Sequence, residues 1–413
     1  MVDYYQSPRW SGEFADCSMP MTFDQYSNCA YKCLYCFSSF QRGISKGAAA
    51  YLRGDVKPVN VEKVKRIFTD HTSSTFGPFL EKGKVIQWGG LSDPFCPFEA
   101  KHGVGLELLR FFKEQDIAIS FSTKGVWWLK DERYTELFRN NPKWNVKISI
   151  ITMDEDKARK IEVGVPTPKQ RLDGIERVAK LNCGGATLRL RPFMIGISSP
   201  LHRRLIREAA ERGATALSTE FFCLERRSPL LKKRLPLMSK LAGFDILKFY
   251  AEQSRGSGYL RLNREAKRPF VDDMEDECRK RGLRFYVSDA HFKERCHNGS
   301  CCGLPESWNY SRGQFCEALV ICKKKGRVYW SDIEKDLDFA KKFDRLRADG
   351  MQNISSEFTA LWKGKTLYEF QRSTWNNPKS SGQSPYRMFG GIMKPVGKDE
   401  NGDIIYEYDK SKE

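Results

Sequence analysis

The chain has 413 residues, of which 40% are hydrophobic, so it is long enough for one large domain or two ordinary ones. It contains no apolar run of about 18 residues, which argues against a membrane span, and its start lacks the features of a secretory signal. The net charge of +18 favours a polyanionic partner, with a generally basic enzyme as the alternative. An odd number of cysteines, 13, argues against a secreted disulfide scaffold and for a reducing cytoplasm.

Residues 1–20 are predicted to form an irregular lead-in, after which apolar strands alternate with amphipathic helices as far as residue 240. The predicted strands are Met21–Tyr26, Lys84–Trp88, Ile117–Ser122, Val146–Ile151, Thr187–Phe193 and Thr215–Phe222. The predicted helices are Val61–Phe68, Gly103–Gln115, Asp131–Phe138, Lys169–Leu181 and Leu201–Arg212. This alternation predicts parallel βαβ units and an α/β fold, namely a partial (β/α)6 TIM-like barrel spanning residues 21–240. In such barrels, functional sites lie at the C-terminal ends of the strands.

Residues 241–413 are predicted to form a C-terminal extension in which the regular alternation ends. A helix is expected over Glu265–Lys280, and a strand that adds to the barrel is expected over Leu283–Ser288. A cysteine-rich segment covers residues 290–322. Residues 354–413 are predicted to be a polar, basic tail with a loop at 376–382 and a hairpin around Asn401-Gly402.

Three cysteines follow the first predicted strand in a C-x3-C-x2-C spacing, Cys29, Cys33 and Cys36, and Tyr35 precedes the last of them. Three thiolates can bind three irons of a [4Fe–4S] cluster and leave the fourth iron open to another ligand. Three unrelated thiols or a zinc site are the alternatives, although zinc sites have four protein ligands in paired spacings. The spacing therefore predicts a cluster at the strand end where a barrel places its site.

This spacing with Tyr35 resembles the signature of the radical S-adenosylmethionine (SAM) superfamily. Four further stretches are similar to its spore photoproduct lyase-like (DNA repair photolyase-like) branch: the run from Trp88 to Glu99, the run from Phe121 to Lys124, the run from Ile148 to Asp154 and the run from Glu162 to Leu172. The resemblance covers residues 20–200, and it implies a barrel of the radical SAM type with a [4Fe–4S] cluster and SAM as cofactors.

The resemblance also implies a SAM pocket lined by Ser92, Asp93, Lys124 and Ser149. Two glycines at the end of the second strand, Gly89 and Gly90, permit close approach of the backbone to a ligand. Arg171 is suited to pair with a carboxylate of SAM in a bidentate manner. A solvated helix position is the alternative for Arg171, and a surface cation at a loop start is the alternative for Lys124.

One departure from the branch concerns the return of a hydrogen atom to the substrate. Spore photoproduct lyase keeps a cysteine just before its Ser-Asp pair, where this chain has Gly90. Cys96 follows in the same segment and is predicted to take over as hydrogen donor. Tyr35 is the second predicted catalytic residue, and Phe37 replaces the family's other tyrosine. These differences argue against repair of a thymine dimer and for a neighbouring reaction on another substrate.

A second group of cysteines predicts an auxiliary metal site in the C-terminal extension. Its predicted ligands are Cys296, Cys301, Cys302 and Cys316 or Cys322. Cys322 lies in an apolar run and has a core thiol as its alternative. Because the side chains of adjacent cysteines diverge, the pair at 301 and 302 favours a second iron–sulfur cluster over a single zinc ion. Structural thiols, or a thiol that donates hydrogen or electrons to the site, remain alternatives.

Two basic runs and one tryptophan pair are candidates for contacts with nucleic acid. The runs are Glu225–Arg234 and Lys323–Arg327, which can bind phosphates, with solvated faces as the alternative. Trp127-Trp128 can stack on a base, with core packing as the alternative.

Taken together, these features predict a cytoplasmic radical SAM enzyme of the lyase or isomerase type. It is expected to fragment or rearrange a modified, thymine-derived base in nucleic acid, with DNA favoured over RNA. Its expected partners are this nucleic acid and a reductant such as flavodoxin or ferredoxin, without a membrane. The alternatives are a radical SAM enzyme that modifies a peptide or small molecule, and a non-catalytic iron–sulfur protein that binds nucleic acid.

Overall fold

The computed structural model of the protein describes residues 8–10, 17–38, 56–72, 76–226, 228–254, 259–337, 365–379 and 384–413. These residues form two compact units. The first holds the described residues of Asp24–Val61 and Trp88–Phe285, and the second holds those of Ser7–Phe23, Glu62–Gln87 and Tyr286–Glu413. The domain boundaries expected after residues 20 and 240 stay a prediction.

Four parallel strands lie side by side in chain order in the first unit: Ile119–Thr123, Trp144–Ser149, Ala186–Phe193 and Ala216–Phe221. The helices of this unit are Pro97–His102, Val104–Glu114, Glu132–Phe138, Glu155–Ile161, Pro168–Lys180, His202–Glu211, Pro229–Ala242, Ile246–Gln253 and Arg264–Lys280. Helices thus alternate with parallel strands, which is the repeating unit of a (β/α) barrel. The predicted α/β class is confirmed.

The Pro168–Lys180 helix illustrates how local sequence sets these elements. Thr167 caps it, since its hydroxyl accepts from the Gln170 N–H at 3.2 Å while the Gln170 side chain accepts from the Thr167 N–H at 2.8 Å. Pro168 occupies the first turn, where no backbone donor is needed. A Cβ at Gly174 would lie 3.2 Å from Ile148 Cδ1, so a glycine lets the helix pack closely against its strand.

The second unit contains short strands and helices around its own core. Its helices are Gly77–Glu81, Phe315–Lys325, Trp330–Glu334, Leu367–Trp375 and Pro385–Met388, and its strands are Arg9–Trp10, Met21–Phe23, Arg327–Val328, Met393–Lys398 and Ile404–Tyr408. The predicted hairpin is confirmed, because the last two strands pair antiparallel and Gly402 between them has a φ of +78°.

Three further predicted elements form as expected, Val61–Thr69, Ile86–Trp88 and Arg284–Val287. The expectation of an irregular lead-in is wrong at Arg9–Trp10, which pairs with the strand at residues 21 and 22. Residues 1–7 and 11–16 lie outside the described residues.

The described part of the predicted polar, basic tail has a small core of its own. Trp375 and Tyr406 are buried there, with ring centroids 4.8 Å apart, because the helix and hairpin carry their own apolar side chains. Residues 354–364 and 380–383 of this tail lie outside the described residues. Within the described part of the chain, no helix has the length and apolar character that crossing a membrane requires.

Candidate active site

The loop that carries the three N-terminal cysteines is fastened to the first unit by backbone hydrogen bonds. Its short strand Lys32–Cys33 pairs antiparallel with Glu162–Val163. The Leu34 N–H donates to the Ile161 carbonyl at 2.9 Å, and Arg234 Nη1 donates to the Leu34 carbonyl at 3.0 Å. The loop therefore has a defined position next to the Glu162–Val163 strand.

The thiols of Cys29 and Cys36 both lie within electrostatic reach of the Cys33 thiol. Burial raises the pKa of Cys33, and the nearby Lys124 ammonium opposes this rise. A buried thiol ionises when a cation compensates its charge, and iron would supply that cation, so the three thiols suit the predicted cluster chemically. Among the described residues, no three Cys, His, Asp or Glu side chains converge tightly enough to share one metal ion.

Cys96 lies beside the first of these cysteines. It is completely buried at the N-terminus of the Pro97–His102 helix. A hydrogen bond with Cys96, together with burial, raises the pKa of the Cys29 thiol. The fold thus brings a fourth cysteine to the loop from a distant part of the sequence. The role of Cys96 as hydrogen donor stays a prediction.

A buried carboxylate, Glu162, joins two of the predicted site residues. The Tyr35 hydroxyl donates to Glu162 Oε1, and Arg171 Nη2 donates to Glu162 Oε2 at 2.6 Å. Arg171 Nη1 also donates to the Ser149 carbonyl at 2.7 Å. Burial alone would lower the pKa of Arg171, but Glu162 raises it above its ordinary value. Arg171 is not the solvated helix residue considered from the sequence, because it is completely buried.

Asp93 ties the segment after the Ile86–Trp88 strand to the end of the next strand. Its carboxylate accepts from Thr123 Oγ1 at 2.6 Å, from the Lys124 N–H at 2.5 Å and from the Phe95 N–H at 3.0 Å. Burial raises the pKa of Asp93, and these donors oppose the rise. Asp93 is therefore held rigidly at the strand ends, where its predicted role in binding SAM stays a prediction.

The chain bends after the Ile86–Trp88 strand, and Gly89, Gly90 and Ser92 shape this bend. The Ser92 N–H and hydroxyl donate to Asp24 Oδ1 at 2.8 and 3.2 Å. Gly89 has a φ of +96°, and a Cβ there would lie 2.5 Å from the Ser122 carbonyl, so only glycine fits. Gly90 follows it and is half-buried.

Thr123 and Ile148 lie opposite each other in neighbouring strands. Lys124 and Ser149 are the residues that follow them. The Lys124 Nζ lies 5.7 Å from the centre of the Tyr35 ring, which places this cation beside the cysteine loop. The Ser149 hydroxyl accepts from Arg189 Nη1 at 3.3 Å. The strand ends and the loop thus bring together the positions that the family resemblance assigns to SAM.

The predicted auxiliary cysteines form a buried group in the second unit. Cys296 is hydrogen-bonded to Cys316, and the sulfurs of Cys301 and Cys302 are 3.9 Å apart. A hydrogen bond with Cys302 and burial raise the pKa of Cys301, whereas the buried Lys293 opposes that rise. Lys293 has the same opposing effect on Cys316, whose pKa is raised by the Cys296 contact and by burial.

Cys322 is separate from this group. It lies on the Phe315–Lys325 helix and its thiol contacts the Tyr406 carbonyl at 3.7 Å. The interpretation of Cys322 as a core thiol is therefore confirmed.

Some of the side chains that were candidates for binding nucleic acid already make contacts within the protein. In the first basic run, Arg234 binds the cysteine loop, and Arg227 lies outside the described residues. In the second, Lys325 pairs with Asp332 at 2.9 Å. Trp128 is buried with its ring stacked on Phe95, 4.4 Å between centroids, which confirms core packing for this residue.

Sequence reasoning missed three polar residues of the site: Asp24, Glu162 and Arg189. Glu162 stands in one of the family-like stretches, but nothing local in that stretch shows that its partner is Tyr35, 127 residues away. Arg189 alternates with leucines in its strand, and this alternation was a readable sign of a second face.

No protein-family model and no curated protein matches the sequence. Among solved structures, a spore photoproduct lyase variant with bound AdoMet and dinucleoside spore photoproduct is 16% identical, over 68% of this chain and 80% of that one, with a TM-score of 0.48. Spore photoproduct lyase complexed with dinucleoside spore photoproduct is also 16% identical, over 65% and 76%, with a TM-score of 0.48. SuiB of Streptococcus suis bound to S-adenosylmethionine is 14% identical, over 67% and 52%, with a TM-score of 0.41.

Proposed function

We propose that this chain is a radical SAM enzyme of the lyase or isomerase type that acts on a base in nucleic acid. The observation that carries the proposal is the placement of Cys29, Cys33 and Cys36 on one anchored loop beside Lys124. In radical SAM enzymes, a [4Fe–4S] cluster bound in this way supplies the electron that cleaves SAM to a 5′-deoxyadenosyl radical.

The chain's own residues hold and orient the reactants. The three cysteines bind iron, and the ammonium of Lys124 offsets the charge of their thiolates. Asp93 and the hydroxyl of Ser149 present fixed oxygens for the ammonium and ribose of SAM, since their hydrogen bonds lock their positions. Ser92, Gly89 and Gly90 shape the bend that lets a ligand approach. Arg171 serves as a positioning residue, because its guanidinium already binds Glu162 and the Ser149 carbonyl.

The reduced, anaerobically reconstituted protein is expected to form 5′-deoxyadenosine from SAM, measured by liquid chromatography with mass spectrometry. Cys33→Ala is expected to abolish this product, because it removes one of three iron ligands. Cys183→Ala is the matched control, since Cys183 is a half-buried thiol near the Pro168–Lys180 helix end. Wild-type protein that holds iron and makes no 5′-deoxyadenosine would refute the proposal.

The nucleic-acid substrate is supported by the net charge of +18. DNA is the favoured polymer, a thymine-derived base is the expected target, and a flavodoxin or ferredoxin in a reducing cytoplasm is the expected electron donor. All 13 cysteines are free thiols, which agrees with such a compartment. DNA affinity should fall steeply with salt, as each neutralised phosphate contributes about 0.9 to the logarithmic slope. Absent binding at low salt would exclude the nucleic-acid substrate and leave a peptide or small molecule.

We further propose a second iron–sulfur cluster at the buried cysteines of the second unit. The paired contacts of Cys296 with Cys316 and of Cys301 with Cys302 gather four thiols, and Lys293 supplies a buried positive charge beside them. A cluster with four thiolates carries net negative charge, so a buried ammonium stabilises it.

The reconstituted protein is expected to contain about eight irons per chain, and the Cys301→Ala/Cys316→Ala variant about four. Cys322→Ala is the control, because this thiol lies apart from the group. Measuring iron and zinc in the same samples distinguishes a second iron–sulfur cluster from a zinc site. One zinc per chain, or an unchanged iron content in the double variant, would contradict a second cluster.

A further inference from the structure

The four parallel strands of the first unit have one apolar and one polar face. Their apolar face is formed by Phe121, Val146, Ile148, Leu188, Leu190, Leu217 and Phe221, all buried. The opposite face holds the alternating positions, namely Ser120, Ser122, Asn145, Lys147, Ser149, Thr187, Arg189, Arg191, Ser218 and Glu220. Since side chains alternate along a strand, this second set shares one surface, here called the polar face.

The strand register places three cations together on the polar face. Lys147 lies opposite both Ser122 and Thr187 in the paired strands. One row further towards the C-terminal ends, Arg189 lies opposite Ser149 and Ser218. Arg191 follows on the same strand and forms an ion pair with Glu220.

Two hydroxyl groups of this face lack a hydrogen-bond partner in the structure, Ser122 Oγ and Ser218 Oγ. Both residues are more than nine-tenths buried, with 6% and 1% of their surface exposed. A buried hydroxyl without a partner is unfavourable, so such groups normally bind protein, water or a ligand. Ser122 adjoins Lys147 across the register, and Ser218 adjoins Arg189. Each unsatisfied donor thus stands next to a cation.

We propose that the polar face binds a backbone phosphate of the substrate through Lys147, Arg189 and Arg191, with Ser218 as a hydroxyl donor. A guanidinium group can donate to two phosphate oxygens at once, and hydroxyl groups can donate short hydrogen bonds to the remaining oxygens. This inference rests on the proposed nucleic-acid substrate, and it names the backbone phosphate as the group of the substrate that the protein binds. The Ser149 hydroxyl accepts a hydrogen bond from Arg189 and also belongs to the predicted SAM pocket. The phosphate would therefore lie next to the site of radical formation.

The test uses Arg191→Gln, because the Arg191 side chain is partly exposed, at 20%, and lies further along its strand than Arg189. A short single-stranded DNA is the probe, measured by fluorescence anisotropy over a salt series. Arg191→Gln is expected to lower the affinity about tenfold and to reduce the logarithmic salt slope by about 0.7. Arg191→Lys should retain the slope, and Arg177→Gln, an exposed helix position, should change neither value.

A probe with one neutral methylphosphonate at successive positions identifies the phosphate. At one position it should weaken wild-type binding and leave Arg191→Gln binding unaffected, as expected when both changes remove the same contact. Lys147→Met serves as a second variant, with thermal melting to confirm folding. Unchanged DNA affinity and slope in both folded variants would overturn the inference.

Two outcomes separate this inference from the proposed function. If wild-type protein binds SAM but no DNA, the nucleic-acid substrate fails and the phosphate site fails with it. If the variants lose affinity for SAM by equilibrium dialysis while DNA affinity persists, the cations bind the SAM carboxylate and the phosphate site alone is wrong. Formation of 5′-deoxyadenosine by the wild type reports on the proposed chemistry independently of both.

Discussion

Arg171→Met is expected to lower the free energy of unfolding of the first unit by about 3–5 kcal/mol, because it leaves Glu162 as a buried charge without its cationic partner. Neither side chain of this pair has more than 1% of its surface exposed, so water cannot replace the lost partner. Chemical denaturation followed by circular dichroism measures the change. The Tyr35 hydroxyl would remain the other donor to the carboxylate.

Arg159→Met is the matched control, because it removes an arginine–carboxylate pair that is about three-quarters exposed on the nearby Glu155–Ile161 helix. It should leave stability almost unchanged, since exposed pairs are screened by water. The Arg171→Met/Glu162→Gln variant should recover part of the loss, because a neutral amide replaces the stranded carboxylate. Equal stability of Arg171→Met and Arg159→Met would show that the buried pair contributes nothing.

Cys96→Ala is expected to leave cleavage of SAM to 5′-deoxyadenosine intact while the product on the substrate fails to form. The reason is that a thiol S–H bond is weak enough to return a hydrogen atom to a carbon radical, and alanine has none to give. DNA treated with enzyme, SAM and reductant is digested and analysed by mass spectrometry. Cys96→Ser preserves the size of the side chain, and it should also fail because an O–H bond is too strong.

The position of Cys96 gives this experiment a second informative result. Cys96 is hydrogen-bonded to Cys29, which we predict to bind iron. Loss of both SAM cleavage and product in Cys96→Ala would show that this thiol supports the iron site and is not the hydrogen donor. A normal yield of product would exclude Cys96 from the reaction altogether. Cys183→Ala, at a half-buried thiol, should match the wild type in both assays.

The parts of the site that sequence could predict are those that depend on short spacing. Cys29, Cys33 and Cys36 share one loop, whereas Asp93 and Lys124 were assigned through the family resemblance of the stretches that contain them. Spacing of this kind follows from local geometry, which is why the interpretation needed no tertiary contacts.

The contacts of Glu162 with Tyr35, and of Cys96 with Cys29, depend on how distant segments meet, and no local pattern encodes that. The Pro229–Ala242 helix was also missed. It carries Pro236 in its interior, and proline ordinarily signals the end of a helix. Tertiary packing outweighed that local preference, as it did in the folded C-terminal segment around Trp375.

The antiparallel pairing of Lys32–Cys33 with Glu162–Val163 has a thermodynamic consequence for metal loading. Ordering a flexible loop on binding costs conformational entropy, about 1–2 kcal/mol for each residue whose backbone becomes fixed. In this protein, the loop becomes ordered when the α/β unit folds, because the loop is hydrogen-bonded to a strand and to the buried Glu162. The predicted iron would therefore bind to a loop whose backbone is already ordered, and its binding free energy would not be spent on ordering the loop.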